Sequence, residues 1–375
     1  MTLLQLALRN LLRRRIRSAL TISAVALGIA AIVALTGIAW GFEASWQKAN
    51  DSRGTDLIVT RLASENSMPS PFLAEANARM LKAMPHVSDV VGLLSEMLSV
   101  SNDSPPVFVF GWAWDSYLWK HLHLVSGRWP LSDSEAGVVL GSIAADLLHK
   151  GIGDDVEIEG RSFKVVGIFE SPAVIENGAL IVTLSQAQQV TDKPGKVNVL
   201  NIKLDGAATG KDVDVIKARV RATMPGYIAF TSGELVRQNA IVRIAKAMSD
   251  ATILIAGLVG TLVVFNTMLM SVNERTREVG ILQALGWRPR TIIQLIVGEA
   301  LLLTLTGGVL GSLLGMGAAA GMSHMDLMRG KIDAVFSPLF LVGVLGLSAV
   351  LGVAGGFLPA LKASRMLPSR ALRHE

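Results

Sequence analysis

Residues 266–290 read NTMLMSVNERTREVGILQALGWRPR, an apolar helix end, a charged turn and a short amphipathic segment. Asn273 to Arg277 is too polar to remain in hydrocarbon, and the apolar runs on either side are each long enough to cross a bilayer, so the turn is a loop at one membrane face. Beyond it, Val279, Ile281, Leu282 and Leu285 fall near helical spacing with Gly286 behind them, which predicts a short helix stopped by a glycine cap. A helix lying along the membrane with an apolar face and charged ends suits insertion into a groove on another protein. The plainer alternative is a solvated loop whose charges, Glu274, Arg275, Arg277 and Glu278, do nothing more than face water.

Working outward, the 375-residue chain is 51% hydrophobic and 17% charged, too apolar for an ordinary soluble domain and too charged to lie wholly in a membrane. Four windows span a hydrocarbon core of roughly 30 Å at about 1.5 Å per residue: 19–39, 251–272, 292–320 and 339–361. The fold class expected is therefore a membrane protein of four transmembrane α-helices, with a large α+β extracytoplasmic domain of two lobes inserted between the first and second. The remaining boundaries are a surface helix over 1–18, the inserted domain with stalk helices over 40–250, the central loop over 273–291, a short outer loop over 321–338 and a tail over 362–375.

Charge assigns the sides. The formal net charge is +5, yet the N-terminal segment, the central turn and the tail together carry +10, so the remainder is about −5. Short basic loops stay in the cytoplasm, which places both termini and the central turn inside and the inserted domain outside. The basic balance reports topology, and no nucleic-acid partner is implied. Cysteine is absent, so no disulfide staples the exported domain.

Along the chain, Leu4, Leu8, Leu11 and Leu12 share one face of an interfacial helix with Gln5, Arg9 and Arg13 elsewhere. The apolar run after it is longer than a signal-peptide core of about 7–15 residues, which disfavours cleavage. Residues 40–50 and 234–250 remain helix-compatible, so the first two spans are expected to project beyond the bilayer as a stalk. Strands are expected at 56–60, 107–110, 138–140, 156–159, 163–169, 180–183 and 197–204, and helices at 73–84, 143–150, 185–190 and 211–224. One lobe is expected from the two ends of the domain and the other from an insertion around 112–185. Gly307, Gly311 and Gly315 in the third span, and Gly352 and Gly356 in the fourth, sit at four-residue spacing that lets helices approach closely.

Few residues suggest chemistry. Glu299 lies within the third span, where a carboxylate is costly. It reads as a packing residue with Asn266 as partner, or as a coupling element; packing is favoured, since a proton relay wants a second buried titratable group that no span offers. His121 and His123 are a conceivable metal pair without a third ligand, and Trp112, Trp114, Tyr117, Trp119 and Trp129 form an aromatic cluster read as packing before ligand contact. No GxxxxGK phosphate loop, nucleophile elbow, HExxH or paired-carboxylate signature occurs, so no catalytic, cofactor or metal residue is assigned and ATP is not expected on this chain.

The series ERTREVGILQALGW, followed by GEALLLTLTGGVLGSLLG, resembles the MacB/FtsX family of ABC transporter permeases, and residues 127–171 resemble the periplasmic core domain of the same permeases. Residues 61–125 carry little of the likeness. The resemblance implies an inner-membrane permease subunit that burns no nucleotide itself. It implies that the loop is a coupling helix docked on an ATPase through Glu274, Arg275, Arg277, Glu278, Gly280, Ile281, Ala284, Leu285 and Gly286. It further implies two copies of a separate ATPase carrying ATP and Mg, a second permease copy or paralogue and, in some members, a periplasmic adaptor with an outer-membrane channel. Mechanotransmission to export or extraction of a drug, peptide, glycolipid or lipoprotein is the implied function. The alternative is FtsX-like signalling to an extracytoplasmic partner such as a cell-wall hydrolase, and the size of the inserted domain favours transport.

Overall fold

The apolar windows fold as helices longer than the windows themselves. A computed structural model describes residues 15–61, 72–100, 105–238, 240–325, 328–331 and 334–366. The surface helix expected over 1–18 lies outside the described residues up to position 14, as does the tail from 367; residues 15–18 are the first turn of the first span. Four described helices are long and apolar enough to cross a membrane. They are α1 (Arg15–Ser52), α8 (Ala240–Glu274), α10 (Pro289–Ser323) and α11 (Pro338–Ser364). At about 1.5 Å per residue, the 38-residue α1 and 35-residue α8 run to roughly 57 and 52 Å. Each exceeds a hydrocarbon core of about 30 Å by several turns.

The chain divides into two compact units. The first comprises Met1–Ala39, Ile244–Gly321 and Ala334–Glu375, and holds the apolar helix segments. With no hydrophobic drive between helices in lipid, close backbone approach and small polar pairs must supply the packing. The third-span glycines do this against α1. A Cβ at Gly311 would lie 2.5 Å from the Ala26 carbonyl oxygen, one at Gly307 2.9 Å from Val25, and one at Gly315 2.7 Å from the Ala30 carbonyl. Gly352 and Gly356 of α11 are closed in the same way by Thr304 and Ala300 of α10. Hydroxyl pairs join α1 to α8, a buried one from Thr36 to Ser249 at 2.7 Å and a part-buried one from Thr21 to Thr267 at 3.0 Å.

The second unit, Trp40–Arg243 with Met322–Asp333, is built on one mixed sheet. Its strands are β1 (Leu57–Arg61), β3 (Val87–Leu98), β4 (Val107–Trp112), β5 (His123–Gly127), β6 (Gly137–Gly141), β7 (Asp155–Ile158), β8 (Arg161–Glu170), β9 (Leu180–Thr183), β11 (Val199–Leu204) and β12 (Tyr227–Phe230). A separate two-stranded ladder pairs β2 (Leu73–Ala74) with β10 (Lys196–Val197). The order β12-β1-β11-β3-β4-β9-β6-β8-β5, with β7 on β8, keeps the chain ends in one half and the inserted segment in the other. The two lobes are thus halves of a single sheet, hydrogen-bonded through the parallel β4–β9 pair. The helices between strands are α2 (Asn77–Lys82), α3 (Ser142–Leu148), α4 (Val174–Asn177), α5 (Leu184–Val190), α6 (Gly210–Thr223) and α7 (Ser232–Gln238).

Alternation along the strands fills both faces. Val107, Val109, Val138 and Leu140 enter one core, whereas Phe110, Trp112 and Val139 enter the other with Leu118 and Phe169. The tryptophans are largely core: Trp112 is fully buried, with Trp119 5.3 Å from it and Trp129 5.3 Å beyond, while Trp114 is exposed. The helix expected over 73–84 is corrected, because Leu73 and Ala74 pair with β10 and helix begins only at Asn77. Three further strands, β3, β5 and β12, arise where no strand was expected.

Candidate functional site

At the end of α8 the chain leaves helical geometry for one residue. Arg275, at φ −110° and ψ 16°, ends α8 and opens α9 (Thr276–Ala284). Glu278 in the first turn of α9 complements the positive end of the helix dipole. The far end closes as expected from Gly286. That residue adopts φ 90°, its N–H donates to the Gln283 carbonyl, and the Trp287 N–H donates to Leu282 at 3.1 Å. This paired arrangement satisfies carbonyls that would otherwise be orphaned, and it needs a residue free of Cβ.

The residues around α9 divide by face. Val279 and Gly280 are buried, and Gln283 shares their side. Arg277, Ile281, Ala284 and Leu285 line up at three- and four-residue spacing on the outer side, all exposed, Leu285 by 73%. Glu274, Glu278 and Gly286 are exposed as well. Arg275 is not on that outer face: its guanidinium turns inward and donates to Glu299 at 3.0 and 3.3 Å, with Glu278 3.8 Å from its Nε. Glu299 is 3% exposed, so the carboxylate in the third span is answered by an arginine from the loop. Asn266, expected as its partner, instead lies on the exposed side of α8.

Two further bonds complete the attachment. Arg17 of α1 grips Glu274 bidentately at 2.7 and 3.0 Å. Gln283 donates from Nε2 to the Ala363 and Ser364 carbonyls at the end of α11, at 3.3 and 3.2 Å. The junction of α8 and α9, and α9 itself, are therefore bonded to α1, to α10 and to α11. Beside α9 lies a cavity of about 320 Å³ lined by Arg275, Glu278, Glu299 and Trp287 among mostly apolar side chains that include Ile281. Sequence reasoning did not find Arg17 or Gln283 as members of this site. Arg17 was one basic residue among many, and the only trace of Gln283 was a polar side chain within ILQAL.

A second polar cluster lies in the sheet domain. Arg53, from the end of α1, donates from Nε to Glu176 at 2.8 Å, and His121 Nε2 lies 2.9 Å from the other carboxylate oxygen, which also accepts from the Ser171 hydroxyl. The Arg53 and Glu176 side chains are 3% and 0% exposed. Burial alone would push the Glu176 carboxyl up, but the charge of Arg53 and the bonds from His121 and Ser171 outweigh it and hold the group below its ordinary value. His121 is thus drawn to Glu176 while His123 faces solvent, and among the described residues no group of three His, Cys, Asp or Glu is placed to hold a metal.

The model of the MacB-like periplasmic core domain matches residues 18–223, and that of the FtsX-like permease C-terminal region matches residues 251–368. The chain belongs to the MacB/FtsX family of ABC transporter permeases. Within it, the chain is 28% identical over 95% of its length to the macrolide export ATP-binding/permease protein MacB of Nitrobacter winogradskyi, of which the match covers 58%. It is 27% identical over 99% of its length to the pyoverdine export ATP-binding/permease protein PvdT of Pseudomonas putida, covering 59% of that protein. An uncharacterized ABC transporter permease of Methanocaldococcus jannaschii matches at 24% identity, 98% of this chain against 97% of that one. The chain therefore spans a little under 60% of the length of these MacB and PvdT relatives. Among solved structures, the periplasmic region of MacB from Actinobacillus actinomycetemcomitans aligns with 50% of this chain and 94% of its own at 15% identity, with a TM-score of 0.40. The match to the FtsX-like permease C-terminal region begins at residue 251, within α8, and the whole of α9 lies inside it.

Proposed function

We propose that this chain is the membrane subunit of an ABC exporter working by mechanotransmission, and that α9 is the element its ATPase grips. The observation that carries the reading is the triple attachment: Arg17–Glu274 and Arg275–Glu299 at the α8–α9 junction, with the Gln283 bonds from α9 itself, tie this stretch to α1, α10 and α11. A push on such a helix is distributed over the whole bundle without bending any span separately. Its outer row, Arg277, Ile281, Ala284 and Leu285, offers the apolar ridge with a flanking charge that a groove on a partner would accept. Of the residues named from the resemblance, this row is the docking surface, whereas Arg275, Glu274 and Gly280 serve attachment to the bundle. The ATPase is a separate protein, present in two copies with ATP and Mg, and the permease acts as a pair. The basic turn and termini face the cytoplasm of an inner membrane, and the sheet domain faces outward. Export or extraction of a substrate from the outer side is the reaction served, as the names of the MacB and PvdT relatives suggest.

The reading is tested by replacing Ile281 and Leu285 together with aspartate in the reconstituted complex. Two charges set into an apolar groove are expected to lower permease-stimulated ATP hydrolysis by at least about tenfold, since burying unpaired charge costs well over the roughly 1.4 kcal/mol that a tenfold change represents. Membrane insertion stays normal, because both side chains are exposed. Unchanged hydrolysis in a correctly inserted double variant would remove α9 from the docking role.

A further inference from the structure

The sheet domain contains a second cavity of about 480 Å³, which the permease reading does not use. Its floor is the face of the sheet where Ile58 pairs with Asn201 and with Phe230, Val199 pairs with Leu93, and Ser95 pairs with Phe110. Its roof is the last turns of α1 together with α7. The size lies in the range of about 300–1,000 Å³ usual for small-molecule sites.

Three residues that line this cavity each carry a buried donor without a partner among the described residues: Trp46 Nε1, Arg53 Nη2 and Asn201 Nδ2. Arg53 and Asn201 are 4% and 1% exposed. Unpaired buried donors cost about 1–3 kcal/mol each, a penalty that a bound acceptor would relieve. The charges are one-sided as well. Arg61 and Arg243 are exposed lining residues, Arg53 is the third arginine, and no carboxylate is among the lining residues. Arg53 already spends its Nε on Glu176 and is stacked 5.3 Å from the Phe110 ring, which fixes its remaining N–H groups. Phe110, Val199, Ile228 and Phe230 provide an apolar wall.

We infer that this cavity binds an amphiphile with an apolar body and a single oxyanion head, carboxylate or phosphate, the head accepting from Arg53, Trp46 and Asn201 and attracted by Arg61 and Arg243. The site needs no nucleotide or ATPase and stands whether or not the ligand is exported cargo.

The test uses the full chain in phosphatidylcholine nanodiscs and a diazirine-bearing dodecanoate as photolabel. Adducts are expected on peptides covering 46–61 and 228–243, saturable and displaced by dodecanoate or dodecyl phosphate. Dodecanoate displacing the label at lower concentration than dodecyl phosphate assigns a carboxylate head, and the reverse order a phosphate head. Dodecanol is expected to compete at least about tenfold more weakly, as does the label itself on the Arg61→Ala/Arg243→Ala variant. Ile228→Trp, which fills the cavity, should abolish domain labelling while adducts on the span peptides persist. Labelling confined to the spans, dodecanol competing as well as dodecanoate, or full domain labelling in Ile228→Trp with an unchanged melting temperature would overturn the assignment.

Discussion

Arg275 and Glu299 are the pair on which the loop between α8 and α10 is seated. Each is mostly buried, so the charge of each is offset by the other. Removing one charge leaves the other stranded, and breaking such pairs costs about 3–5 kcal/mol. Glu299→Gln is therefore expected to lower the melting temperature of the purified protein markedly in a detergent thermal-shift measurement, with Arg275→Gln/Glu299→Gln restoring part of the loss; additive losses in the double variant would contradict the pairing. Glu176 gives a second residue-scale expectation, now in pH. Its folded pKa lies below the unfolded value near the ordinary carboxylate range, so the stability it contributes is present above that range and is lost as pH falls through the folded pKa. Acid titration of unfolding should show this limb in the parent protein. Glu176→Gln should be less stable at neutral pH, with Arg53 uncompensated, and flatter on the acid side; an identical acid limb would show that another group controls it.

At the scale of elements, the third-span glycines set how near α10 comes to α1. An alanine at Gly311 puts a methyl group 2.5 Å from a backbone oxygen, so the helices must part, whereas at Gly317 nothing lies within 4 Å. Overpacking of this kind costs about 1–3 kcal/mol. Gly311→Ala should unfold earlier than the parent in detergent and Gly317→Ala should not; equal stability would mean that the close approach is dispensable. This spacing was legible beforehand because small residues at four-residue intervals allow few other readings in lipid. So was the glycine stop of α9, which depends on local backbone geometry. The partners of Glu299 and Glu274 were not legible, since Arg275 and Arg17 meet them across 24 and 257 positions of sequence. Strand β3 escaped for a related reason. Its run VSDVVGLLSEML changes from alternating to continuously buried residues, a pattern that the neighbouring strands impose and that periodicity within the segment does not carry. The single sheet under two expected lobes is likewise a long-range fact, made by β4 meeting β9 in parallel.

At the scale of the whole molecule, the helical unit has its α8–α9 junction and α9 bonded to α1, α10 and α11, and the sheet domain carries its own cavity. α1 and α8 each continue well past the length a bilayer requires. The central claim is that the outer row of α9 is held by a nucleotide-hydrolysing partner in the cytoplasm. The most direct measurement is photo-crosslinking in living cells from benzoylphenylalanine placed at Leu285, which is 73% exposed, with the adduct identified by mass spectrometry. The account predicts a covalent adduct with a cytoplasmic ABC ATPase, its yield changing when ATP hydrolysis is trapped with vanadate. An adduct solely with an extracytoplasmic protein, or no ATPase adduct from a chain whose purified complex still hydrolyses ATP, would contradict it.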